Sequence, residues 1–92
     1  MRFEALEIDG HILDKIESRH GVMFGEVEEA CYSDRRHVRR GRHGLYKVFS
    51  QTTAGRYLLV VLVDKSEGVW RVATARQMTP GERALYRQQT GE

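Results

Sequence analysis

A chain of 92 residues with 40% hydrophobic residues, 30% charged residues and a single proline has room for one core and reads as globular rather than disordered. No apolar run approaches the roughly 20 residues that span a bilayer, the opening MRFEALEIDG lacks the apolar centre of a secretion signal, and a lone cysteine, Cys31, excludes an internal disulfide and matches no zinc spacing with the histidines. The net charge of +2 hides a division, because residues 1–34 carry net −6 and residues 35–92 net +8. That division predicts a polyanionic ligand for the second half, unless the two halves neutralise one another across the fold. Cys31 reads as a small buried hydrophobe in a reducing cytoplasm.

In chain order, MRFEALEI is a short strand or an irregular lead-in. Asp9 is placed to cap a helix over residues 11–20, with Ile12, Leu13, Ile16 and His20 along one face, and Gly21 to stop it in the left-handed conformation. A second helix is expected near residues 24–32, burying Phe24, Val27, Ala30 and Cys31 and exposing Glu26, Glu28 and Glu29. DRRHVRRGRHG, residues 34–44, follows with Arg35, Arg36, Arg39, Arg40, Arg42, His37 and His43. Its breaks at 41, 43 and 44 predict an exposed irregular loop.

The period then changes. LYKVFSQ alternates as a half-exposed strand, TTAG turns the chain, and RYLLVVLV is apolar on both faces, as a central strand should be. DKSEG is a second turn and VWRVATA a third strand. TPGE, residues 79–82, is a capping box, with Thr79 as N-cap, Pro80 at the first helical position and Glu82 reaching back. It opens a weakly amphipathic helix to about residue 89. The class is α+β: two N-terminal helices, an antiparallel meander of three to four strands, and a C-terminal helix.

Four short segments carry a resemblance. RHGVMF at 19–24, GRYLLVV at 55–61, RVATAR at 71–76 and ERALY at 82–86 resemble, in order and spacing, the BrnT-type toxins of bacterial toxin–antitoxin pairs, over residues 8–88. The resemblance implies a single RelE-like domain over residues 1–92 and endoribonuclease activity that needs no metal or cofactor. It also implies an RNA substrate and neutralisation in the cytoplasm by a small DNA-binding antitoxin of ribbon–helix–helix type. Position by position, His20 matches the histidine of the family's Lys-His-Gly-Val segment, and Arg56 the arginine opening its central strand. Arg71 and Arg76 match its paired strand arginines, with Thr74 in place of a serine, and Tyr86 its C-terminal helix tyrosine. Three segments depart from the pattern: the family's Trp-Asp opening is Ile8–Asp9, its first-helix lysine falls on Ile12, and its Glu-Arg pair falls on Gly44 and Leu45.

Metal-free RNA cleavage needs a base for the ribose 2′-hydroxyl, cations for the phosphorane and an acid for the leaving oxygen. Arginines give fixed, bidentate phosphate contacts, so Arg76 and Arg71 are the first candidates, with Arg56 behind them. Strict alternation would set Arg71 and Arg76 on opposite faces of their strand unless it bends. For proton transfer the candidates are His20, which could equally be a core histidine, and Tyr86, which could donate a proton, stack on a base or simply anchor its helix. His37 and His43 are accessible but sit on the expected loop. Arg35, Arg36, Arg39, Arg40 and Arg42 are expected to grip RNA backbone without sequence preference, and Trp70 to lie in the core. The competing reading is a catalytically impaired relative that binds RNA or protein.

Overall fold

In the computed structural model, which describes residues 1–91, the chain runs β1 (Ala5–Glu7), α1 (Gly10–His20), α2 (Phe24–Tyr32), β2 (His37–Arg40), a 3₁₀ turn (Arg42–Gly44), β3 (Leu45–Gln51), β4 (Tyr57–Asp64), β5 (Val69–Gln77) and α3 (Pro80–Thr90). The local signals act as read. Asp9 accepts the His11 amide at 2.8 Å, and Gly21 ends α1 at φ 62°. Thr79 and Glu82 close a reciprocal capping box on α3. The class is α+β.

The sheet departs from the expected meander. It has five strands in the order β1-β5-β4-β3-β2, with β1 parallel to β5 and the remaining pairs antiparallel. The expected loop at DRRHVRRGRHG is in part β2, which pairs residues 37–40 with residues 46–49 of β3. One apolar side chain holds it: Val38 sits opposite the fully buried Val48 and packs on the core. The arginines around Val38 do not prevent pairing, because an edge strand can leave them in water, where they also discourage further strand addition. Left-handed His43 (φ 58°) and Gly44 (φ 73°) make the turn into β3, closed by Gly41 N–H donating to the Leu45 carbonyl at 2.8 Å.

The second edge strand, β1, is three residues long, too short for any periodic signal. It docks where the chain turns at Gly68, whose carbonyl accepts the amides of Glu4 and Ala5 at 2.8 and 3.3 Å. A Cβ on Gly68 would lie 2.6 Å from Glu4 Cγ, and Gly68 itself is left-handed at φ 80°.

The two faces of the sheet are covered unequally. Ile16 of α1 and Val27, Ala30 and Cys31 of α2 pack on Val48, Leu58, Val60, Leu62, Val72 and Ala75. Burial pushes the Cys31 thiol up to about 12, so it behaves as a hydrophobe. On the opposite face α3 sets Tyr86 against Phe49 and Leu59, with Tyr57, Val61 and Met78 around them. Beyond α3, Leu45, Val61 and Val63 remain only half-buried. Gly68→Ala is expected to lower unfolding stability by about 1–3 kcal/mol, since it adds both left-handed strain and a contact with Glu4; urea titration checks it.

Candidate nucleic-acid interface

Residues directly opposite in an antiparallel pair point to the same face, so the register shows which side chains share the α3 side. One row runs Arg76, Leu59, Phe49, His37 from β5 to β2, and the next runs Thr74, Val61, Lys47, Arg39. A third begins Arg71, Val63, Leu45. Arg71 and Arg76, five positions apart, reach one face because the register shifts: Thr74 pairs with Val61 and Val72 with Leu62, leaving Ala73 as the extra residue of a bulge. The bulge removes the conflict that strict alternation posed. The two arginines still stand four β4 residues apart, about 13 Å along the strand, too far to clamp one phosphate together.

Between α3 and the β2–β3 edge lies a groove of about 220 Å³, lined by His37, Arg39 and Lys47 from the strands and by Glu82, Leu85 and Tyr86 from the helix. Arg39 and Lys47 are direct cross-strand partners, and like charges in that position repel. Both are exposed. Neither has a carboxylate within salt-bridge distance among the described residues. Glu82 is already committed. Its two oxygens accept from Arg76 Nη1 and Nη2 at 2.8 and 3.0 Å, and the Thr79 amide donates to it at 2.9 Å. The Arg76 guanidinium therefore holds the Glu82 carboxyl below the ordinary carboxylate value, and Glu82 in turn raises Arg76. Tyr86 is buried; its hydroxyl donates to the Arg35 carbonyl at 2.8 Å and its ring meets Tyr57 edge-on, so it anchors α3 to the sheet.

The sequence candidates thus divide. Arg71, Arg76 and Tyr86 are on the α3 face; Arg56 and His20 are on the other. Arg56 donates from Nη1 to the Gly21 carbonyl at 2.8 Å and to both oxygens of Glu26 at 2.9 and 3.1 Å, and from Nη2 to the His20 carbonyl at 3.3 Å. It clips the end of α1 to the start of α2. The Met23 amide and the Arg56 guanidinium hold the Glu26 carboxyl below its usual range. Arg71 is exposed beside Glu7, Ile8 and Asp9. The five arginines of the expected loop are spread out: Arg39 enters the groove, Arg36 and Arg40 lie against Phe3 and Tyr46, and Arg35 and Arg42 are exposed. His37 belongs to the segment expected as a loop, and Lys47 is a lining residue that no sequence motif singles out. The alternation of LYKVFSQ marked Lys47 as solvent-facing, but only the β2–β3 register puts it opposite Arg39.

Among the described residues no cluster of three or more His, Cys, Asp or Glu side chains is placed to hold a metal ion, and no helix is long and apolar enough to cross a membrane. No protein-family model matches the sequence, nor does any curated protein. Among solved structures, the crystal structure of the ribonuclease toxin BrnT of Brucella abortus superposes with a TM-score of 0.69 at 12% identity, over 82% of this chain and 96% of that one. The fold is BrnT-like. At this identity the likeness concerns backbone architecture, and the α+β arrangement of the BrnT-like sheet and helices is what it establishes.

Two ion pairs are expected to make the fold acid-sensitive. Unfolding restores Glu26 and Glu82 to ordinary carboxyls that bind protons more readily, so their contribution is complete above about pH 4.5 and is lost as pH falls through the lowered folded values. The urea midpoint is expected to fall below that pH, with a shallower fall in the Glu26→Gln, Glu82→Gln double variant. Arg56→Ala is expected to cost about 2–3 kcal/mol, because it leaves Glu26 and two carbonyls without their donor; thermal unfolding reads it.

Proposed function

We propose that this chain is a toxin-like endoribonuclease whose reaction site is the groove between α3 and the β2–β3 edge. The observation that carries the reading is the unpaired opposition of Arg39 and Lys47 beside His37. Two cations held face to face cost stability unless an anion joins them, and a phosphodiester is such an anion. An imidazole within the same groove supplies the proton-transfer group that neutral-pH chemistry requires.

In this reading His37 takes the proton of a ribose 2′-hydroxyl as its oxygen attacks phosphorus. Arg39 and Lys47 offset the charge on the non-bridging oxygens, and the 5′-oxygen leaves with a proton from solvent, giving a 2′,3′-cyclic phosphate and a 5′-hydroxyl end. Arg76 acts through Glu82: by neutralising that carboxylate it removes a repulsion from the phosphate site. Arg71, on the same face but further along the sheet, offers a contact to a neighbouring phosphate. Tyr86 shapes the groove wall. The likeness to a ribonuclease toxin supports the reading. The sequence resemblance to BrnT-type toxins extends it to a cognate antitoxin, a small DNA-binding protein of ribbon–helix–helix type, and to a cytoplasmic setting.

A second reading, RNA binding without cleavage, is favoured by the state of Arg56 and Arg76, both of which already carry carboxylates. Cleavage of a labelled single-stranded RNA decides between them. The nuclease reading expects a cyclic-phosphate product, a loss of roughly 10²–10⁴-fold in His37→Ala and of about 10²–10³-fold in Arg39→Ala or Lys47→Ala. It also expects arrested growth on induction that Arg76→Ala relieves. Wild-type cleavage by His37→Ala, or no cleavage by wild type, sinks it; binding that weakens steeply with salt but yields no product establishes the second reading.

A further inference from the structure

The other face of the sheet has a cleft of its own, at the corner that α1 and α2 leave bare. It encloses about 790 Å³ between Asp34, Arg36, Val38, Tyr46, Asp64 and Trp70. Two aromatic side chains line it, Tyr46 meeting Trp70 edge-on at 5.1 Å between ring centroids, and Phe3 lies behind them, 5.9 Å from Trp70 and 5.5 Å from Tyr32. Two guanidinium groups lie against these rings, Arg36 at 5.4 Å from Phe3 and Arg40 at 5.5 Å from Tyr46.

Arg36 and Arg40 differ from Arg56 and Arg76 in their partners. Arg36 donates to the backbone carbonyls of Ser33 and Met1, each at 3.1 Å, and among the described residues neither Arg36 nor Arg40 has a carboxylate within salt-bridge distance. The carboxylates of Asp34 and Asp64 are nevertheless in the same cleft, one oxygen of Asp64 accepting the Ser66 amide at 2.7 Å. A bare phosphate or an acidic peptide would meet that pair of negative charges. A nucleobase fits this mixed lining: the half-buried Tyr46 ring for apolar contact, carboxylate oxygens for an exocyclic amino group, and guanidinium donors for its carbonyl and the adjoining phosphate.

The position of the cleft ties it to the groove. Along β2 successive side chains face opposite sides of the sheet; His37 and Arg39 enter the α3 groove, while Val38 lines the cleft and Arg40 lies on its Tyr46. Arg39 and Arg40 therefore flank the exposed sheet edge, one on each side. We propose that the cleft binds a nucleobase of single-stranded RNA next to the segment held in the groove, the RNA passing around the β2 edge between the two arginines. This rests on the RNA-processing reading of the groove and extends it to a second subsite.

Trp70 is the chain's one tryptophan, buried behind Tyr46 with its indole N–H donating to the Arg2 carbonyl at 2.8 Å, so its emission reports on this corner of the core and on the cleft it borders. A 2′-O-methyl hexanucleotide binds without offering the attacking hydroxyl. Its titration is expected to quench Trp70, and Tyr46→Leu to weaken that titration about tenfold. Arg40→Ala, at an exposed position of β2, is expected to do the same. Unchanged Trp70 emission at a concentration where anisotropy of the labelled hexanucleotide has saturated overturns the proposal, as does wild-type affinity in Arg40→Ala. A mononucleotide that quenches as strongly as the hexanucleotide also overturns it, because the cleft would then be a free-nucleotide site. Quenching without any cleavage keeps the cleft and removes the nuclease reading; cleavage without quenching does the reverse.

Discussion

A five-stranded sheet has two faces to cover, and the helices of this chain cover one face and part of the other. Strand β4 is buried on both sides through Leu58, Leu59, Val60 and Leu62, so neither side can be left wholly to water. Helices α1 and α2 go to one face and close most of it. Helix α3, anchored chiefly by Tyr86, reaches only Phe49, Leu59 and their neighbours on the other. What it leaves bare is a strip of half-buried aliphatic side chains bordered by Arg39, Lys47 and Arg71. The candidate reaction groove is the boundary between the covered and the uncovered part of that face. Its chemistry follows from where the third helix stops.

Arginines that look alike in the sequence have different surroundings, and carboxylate reach makes the difference. Arg56 and Arg76 each find a glutamate that is also an N-terminal capping residue, Glu26 for α2 and Glu82 for α3. In both cases one carboxylate holds a helix start and a cation at or beside the end of a strand at once. The Glu26–Arg56 pair also crosses the division between the acidic first part and the basic remainder of the chain, so part of the charge asymmetry is spent inside the fold. Arg39, Arg40, Lys47 and Arg71 have no such carboxylate within salt-bridge distance among the described residues, and three of these four lie on the same face.

Strand β2 connects the two sites of interest. Read as a loop, its arginines would form one diffuse basic cloud. As an edge strand they are sorted by alternation, one toward α3 and one toward the aromatic cleft, across a single thickness of sheet. Edge position explains how so charged a segment can pair at all: only Val38, itself half-buried, packs on the core, and one apolar residue per strand suffices when the other face and the outer edge meet water.

Whatever depends on a few neighbouring residues was legible in the sequence: both helix starts capped by Asp9 and Thr79, the left-handed stop at Gly21, the three long strands, and the α+β class. These are local choices of backbone conformation, and local chemistry decides them. The edge strands β1 and β2 were not legible, since each is held by partners more than a few residues away and carries at most one buried apolar side chain. The site was legible only in its ingredients. Arginine and histidine types announced an anion and a proton, but which of them share a face depended on the extra residue at Ala73 and on the β2–β3 register. Pairing across the sheet set Arg39 opposite Lys47 and beside His37, and sent Arg56 to the opposite face, because side-chain direction in a strand follows hydrogen-bond partners that only the folded chain supplies.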